Sequence, residues 1–206
     1  MNCGNRIKSL LTVASVASAL LVAATLVSAL EVSGIKMEET ARVANQELKL
    51  NGAGMRYKAI FKVYVGGLYL TERKTSAADA LAAPGPKRIT LVTMREISSD
   101  DLGRSFMEGL NKNSDRTEKT KIISQMQRLG EVFGSTPELK KGDVVTIDWL
   151  PGTGTLIAVN GKKITDAFPD LVFYNALLKI WLGDKPADGQ LKRAMLGEKP
   201  EDFKRQ

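Results

Sequence analysis

The chain has 206 residues, 30 of them Lys or Arg against 23 Asp or Glu, for a net charge of +7. It holds one cysteine and no histidine, which excludes Ser-His-Asp and Cys-His nucleophilic sites and any zinc site built from His and Cys. The basic residues are spread along the chain without a stripe of interleaved aromatics, so the charge reads as a solvated surface and not as a nucleic-acid interface.

The N-terminus reads as a secretory leader. Arg6 and Lys8 precede an apolar run from Leu10 to Val27, and Val27-Ser28-Ala29 offers small residues at the −3 and −1 positions. Cleavage is expected after Ala29, giving a leader over 1–29 and one domain over 30–206; an uncleaved anchor is the alternative. Cys3 precedes the apolar run, so it is not placed for lipoprotein acylation and leaves with the leader. Arg6 and Lys8 leave too, which takes the charge from +7 to +5. Nothing after Ala29 is apolar for long enough to cross a membrane, so the mature protein is expected to be exported and free of a membrane span.

Gln46 to Leu50 is a weak early strand. Tyr57, Ala59, Phe61, Val63 and Val65 alternate with Lys58, Ile60, Lys62 and Tyr64, a period-two pattern that predicts a strand. Gly66-Gly67 suggests a bulge or bend before Leu68-Tyr69-Leu70. Thr75 to Pro86 reads as a surface loop. Ile89 to Ile97 is a second strong strand, Val144 to Leu150 a third, and Thr155 to Val159 a fourth, joined to the third by the Pro151–Gly154 turn. Asn160-Gly161 is a hairpin signal leading into Lys163-Ile164-Thr165. Between these blocks lie helices. Ser98 or Ser99 caps one with the buried stripe Leu102, Phe106 and Leu110. Ile122, Met126, Leu129 and Phe133 form the stripe of the next, with Gly134 as its expected end. Leu171 to Leu182 is apolar nearly all round and should be deeply buried, with Gly183 as its cap. A short helix over Gln190 to Leu196 ends at Gly197. Blocks of strands and helices predict an α+β fold with a mostly antiparallel sheet.

Without histidine, acid–base chemistry near neutral pH falls to a shifted Lys, Tyr, Asp or Glu, or to water. Gly52-Ala53-Gly54-Met55-Arg56 is the most informative segment. No helix follows it and a third glycine is missing, so it is no dinucleotide fingerprint. It reads either as a turn with a surface arginine or as an arginine held at a strand start by tight backbone packing, suited to a carboxylate or enolate. Tyr64 shares the more polar face of its strand with Lys62; it is either an amphipathic surface residue or a donor lining a pocket. Trp149 and Trp181 read as core. Gly152-Thr153-Gly154-Thr155 lacks the lysine and helix of a phosphate loop, and Asp100-Asp101 suits a helix N-terminus. No metal-ligand set and no cofactor motif is found.

Gly52–Arg56, Phe61-Lys-Val-Tyr-Val-Gly-Gly-Leu-Tyr-Leu70, the strand Ile89 to Met94, the Pro151–Thr155 hairpin and Ala176-Leu-Leu-Lys-Ile-Trp-Leu-Gly183 together resemble the chalcone isomerase-like family, in its bacterial exported branch. The match runs from about residue 46 to 197. The resemblance implies an open-faced β-sandwich, a long antiparallel sheet covered by helices with a ligand cleft between. It implies a periplasmic location. Plant members of the family close a flavanone ring by intramolecular Michael addition, assisted by an arginine, hydroxyls and ordered water; related members bind fatty acids, with a comparable arginine on the carboxylate. Arg56 matches that arginine. The enzymes' threonine falls at Tyr64, their helix-start tyrosine at Leu102 and their helix asparagine near Gly109. Losing a donor to a developing oxyanion costs about 10²–10³ in rate, so the resemblance implies a cofactor-free binding protein for a small apolar, fatty-acid-like molecule with an acidic group. Arg56 would contact the anion, Tyr64 would add a hydrogen bond, and Leu102 and Phe106 would line the apolar part. An intramolecular lyase of the chalcone isomerase type and a partner-binding domain without a small ligand are the alternatives.

Overall fold

The computed structural model describes residues 29–199. Apart from Ala29, the expected leader lies outside the described residues. The chain opens with a small hairpin, β1 (Ala29–Val32) and β2 (Ile35–Glu38). A seven-stranded antiparallel meander follows in which sequence order and spatial order coincide. Its strands are β3 (Thr40–Val43), β4 (Gln46–Lys58), β5 (Phe61–Leu70), β6 (Lys87–Thr93), β7 (Val144–Leu150), β8 (Gly154–Val159) and β9 (Lys162–Lys163). Short turns join β3 to β4, β4 to β5, β7 to β8 and β8 to β9, while the longer links from β5 to β6 and from β6 to β7 carry helices. Ala44-Asn45 and Asn160-Gly161 take positive φ at both positions, the geometry that matches the strand twist of a two-residue hairpin.

Five helices complete the fold: α1 (Ala77–Ala82), α2 (Ser99–Asn113), α3 (Arg116–Ser135), α4 (Leu171–Leu182) and α5 (Gly189–Met195). Ser98 accepts from the Asp101 N–H to start α2, and Asp115 with Glu118 forms a capping box at α3. The stripes Leu102, Phe106, Leu110 and Ile122, Leu129, Phe133 are buried. They close over α4, which buries Phe173, Tyr174, Ala176, Leu177, Leu178, Ile180, Trp181 and Leu182. The main core lies between these helices and one face of the sheet. On the opposite face Met37, Leu48, Leu50, Met55, Val65 and Tyr69 form a second cluster under the N-terminal hairpin. This is an α+β open-faced sandwich.

Several expectations need correction. The alternation over Tyr57 to Val65 is not one strand. The chain reverses at Ala59-Ile60, with Lys58 opposite Phe61, and a turn without Gly or Asn leaves the alternation unbroken in sequence. β4 runs on from Gln46 through the Gly52–Arg56 segment, so Arg56 stands near a strand's end and not its start. Gly66-Gly67 makes no bend; the two irregularities lie elsewhere, one at the extra residue Asn51 of β4, between Leu50 and Gly52, and one at the extra residue Val63 of β5, between Lys62 and Tyr64. The Thr75–Pro86 loop contains α1, capped by Ser76. α3 continues past Gly134 to Ser135, and the strands β1 to β3 carried no strong signal.

Candidate functional site

The site is built on the β4–β5 ladder. At one end of it, α5 lies directly on β4. A Cβ on Gly52 would stand 2.0 Å from the Ala194 carbonyl oxygen, and one on Gly54 would stand 2.6 Å from the Ala194 Cβ. Side chains cannot occupy such distances, so these glycines are what lets the helix touch the sheet. Asn51, in the bulge before Gly52, ties the contact down. Its side-chain amide donates to the carbonyls of Met195 (2.7 Å) and Lys74 (2.8 Å), and its carbonyl oxygen accepts from the Lys74 N–H (2.6 Å). The dense Gly-x-Gly signal is therefore a helix seat.

Two residues further along β4, the helix layer stands away from the sheet and a cavity of about 130 Å³ opens. Arg56 and Tyr64 are direct register partners on β4 and β5, which places both side chains on the helix-facing side. The Arg56 guanidinium carbon stands 5.3 Å from the centroid of the Tyr64 ring. Its Nε is buried without a hydrogen-bond partner, and it makes no salt bridge among the described residues. The Tyr64 hydroxyl accepts from Trp181 Nε1 at 2.7 Å, which leaves its own proton for another oxygen. Burial pushes the Tyr64 phenol above its ordinary value of 10.0, opposed by the Arg56 charge and the Trp181 hydrogen bond. Tyr64 is thus a neutral donor at any physiological pH.

Below the rim, the rest of the cavity is apolar apart from the half-buried Ser105. Val63, Leu102, Phe106, Ile180 and Trp181 form its buried floor and walls, while Lys58, Phe61, Arg95, Glu96 and Asp101 stand exposed at its rim. Phe106 meets Trp181 edge-on at 5.7 Å between ring centroids and Phe133 at 4.8 Å, so aromatic packing closes the deep end. The rim carboxylates are engaged: Glu96 with Lys140 at 3.2 Å and Asp101 with Arg104 at 3.8 Å. A more polar hollow of about 160 Å³ adjoins the first and shares Arg56, Lys58, Asp101, Ser105 and Ala187 with it. A larger one, about 510 Å³, lies between β1, β4 and the end of α5. Its lining includes Leu30 and Lys199, near the two edges of the described chain.

All four residues singled out in the sequence line the same cavity: Arg56, Tyr64, Leu102 and Phe106. Tyr64 is not on a polar face, however; it is 6% exposed. Lys62 lies beyond the last β5–β6 pair, in solvent, whereas Tyr64 lies opposite Thr93 beneath the helices. Trp181, read as core, also presents its indole N–H to Tyr64. No period or spacing connects residues 117 positions apart. Among the described residues, no group of three His, Cys, Asp or Glu side chains converges as a metal set, and no helix is long and apolar enough to cross a membrane.

A meander of this order under helices, with a cleft at the β4–β5 ladder, is a recognisable class of α+β fold. The chalcone isomerase-like family model matches residues 29–197, and the chain belongs to that family. The match begins well before residue 46 and takes in the N-terminal hairpin. Among solved structures, an Arabidopsis thaliana fatty-acid binding protein superposes with a TM-score of 0.63 at 15% identity, covering 79% of this chain and 92% of that one. No curated protein sequence matches significantly.

Proposed function

We propose that the protein is an exported, non-catalytic binding protein, periplasmic in a bacterium, for a small apolar molecule with an acidic group. The observation that carries this is Arg56: a guanidinium with a buried, unpartnered Nε at the edge of an apolar cavity, beside a buried phenol with a proton to donate. A cation so placed favours an anion, and Arg holds a carboxylate through two parallel hydrogen bonds. An acyl acid here is consistent with the structural neighbour being a fatty-acid binding protein. Binding rather than turnover is supported by the polar groups of the cavity: Arg56, Tyr64 and the half-buried Ser105 are not general bases, and the carboxylates Glu96 and Asp101 stand at the rim in ion pairs. Export is supported by the charged start, apolar run and small-residue site of residues 1–29.

The cavity sets a size. About 130 Å³ is close to the ~150 Å³ that holds a benzene ring and below the ~300 Å³ of ordinary ligand pockets. With Phe106 and Trp181 closing the deep end, an acid longer than this extends through the rim past Phe61. Titration of the protein with octanoate and with octan-1-ol, followed by tryptophan fluorescence, tests the reading. The acid should bind about tenfold or more tighter than the alcohol, and Arg56→Ala should abolish that preference. Equal affinities in the unmodified protein would contradict it.

A further inference from the structure

The β4–β5 hairpin overshoots the sheet. β6 pairs with β5 only as far as Tyr64 opposite Thr93, while β4 and β5 remain paired to Lys58 opposite Phe61. Three more residues along β5 carry the tip roughly 10 Å beyond its neighbour. Two-residue hairpin turns with positive φ ordinarily take Gly, Asn or Asp, but this one is Ala59-Ile60, with Ala59 at φ 53°. Ile60 is 84% exposed and Phe61 56%. No other large apolar side chain among the described residues is as exposed as Ile60. Turn chemistry and solvation both oppose this choice of residues, and such conflicts are expected where a surface has work to do.

The surroundings of the tip are cationic. Lys58 and Lys62 flank the turn, both exposed and neither in an ion pair among the described residues. Arg95 lies over the Phe61 ring at 5.4 Å. The nearby carboxylates are occupied: Glu96 by Lys140, and Asp188 by the Tyr57 N–H at 2.9 Å, a contact that anchors the hairpin base to the start of α5. Phe61, Lys58 and Arg95 also form the cavity rim. An apolar point ringed by cations suits an anionic interface. A second copy of the same tip would bring like charges together.

We propose that the β4–β5 tip is a membrane-contact element. Ile60 and Phe61 enter the headgroup region of an anionic phospholipid bilayer, Lys58, Lys62 and Arg95 meet its phosphates, and the cavity mouth is held against the lipid surface. Passage of an acyl acid through that mouth rests on the ligand reading above; the surface contact does not.

Co-sedimentation with vesicles tests it, using a chain that begins at Ala29 and so keeps every described strand, helix and core residue. Binding should be at least tenfold stronger to phosphatidylglycerol-containing vesicles than to pure phosphatidylcholine, and should fall steeply in 0.5 M salt, where the Debye length shrinks to a few ångströms. Ile60→Asp and Lys62→Glu, neither in the cavity wall, should each weaken vesicle binding several-fold and leave the octanoate titration unchanged. Arg56→Ala should do the reverse, so loss of the ligand reading and loss of the membrane reading are separable. Unchanged vesicle binding in Ile60→Asp would overturn the proposal. So would a concentration-dependent self-association abolished by Ile60→Asp in a protein that ignores vesicles.

Discussion

The two ends of the β4–β5 ladder differ in what covers them. At Gly52 and Gly54, β4 has no side chains on its helix-facing side, and α5 touches its backbone. At Arg56 and Tyr64 the sheet carries two of its largest polar side chains, and the helices stand off to leave a cavity. One end is sealed by the absence of side chains, and at the other the Arg56 side chain and the buried Tyr64 ring stand between sheet and helices. Under the proposed function, stability and binding belong to different stretches of one strand, and substitutions should separate them.

The largest effect is expected at the sealed end. Gly52→Val would drive a branched side chain into the Ala194 carbonyl. Backbone cannot yield as a flexible side chain can, so denaturant unfolding should show a loss of at least about 3 kcal/mol, and an unaltered midpoint would remove the helix-seat account. The same end buries Lys87, 1% exposed, with Nζ donating to the Leu81 carbonyl at 2.6 Å. Burial lowers Lys87 from 10.5 to about 8. Between those values the unfolded chain holds a proton that the folded chain lacks. Stability on this account rises with pH across the window and is lost as pH falls through 8, by on the order of 2–3 kcal/mol in all. Tyr64, Tyr69 and Tyr174 have raised phenols and act oppositely above pH 10, so the comparison is with Lys87→Met. The difference between the two stability curves should slope between pH 8 and 10.5 and be flat below.

At the open end, Tyr64→Phe leaves the buried Trp181 N–H without its acceptor. A stability loss of about 1–2 kcal/mol is expected, with weakened octanoate binding; an effect on binding alone would mean that the indole finds another partner. Arg56→Ala should have the smallest effect on folding, under about 1 kcal/mol, since the side chain makes no ion pair to lose.

Helices were the most legible part of the chain in sequence. The four-residue recurrence of Leu102, Phe106 and Leu110 and the Ser98 cap are local signals, and they fall where expected. The strands misled where the signal was parity. Alternation from Tyr57 to Val65 passes through Ala59-Ile60 without a break, because a two-residue turn preserves the alternation and these residues carry no turn chemistry. The Gly-x-Gly segment was conspicuous, but its partner, Ala194, is 142 positions from Gly52, and no local pattern says that glycines are there for a helix so distant. Arg56, Tyr64, Leu102 and Phe106 could be brought together through the family resemblance and the stripes. Trp181 could not, because its apolar surroundings in α4 read as core and its one polar contact crosses the fold.

The central claim is that Arg56 awaits an acid. Native mass spectrometry of the purified chain beginning at Ala29 addresses it most directly. The account predicts a bound carboxylic acid in the unmodified protein that is absent, or reduced about tenfold or more in occupancy, in Arg56→Ala of equal stability. The same acid retained at the same occupancy in Arg56→Ala would contradict it.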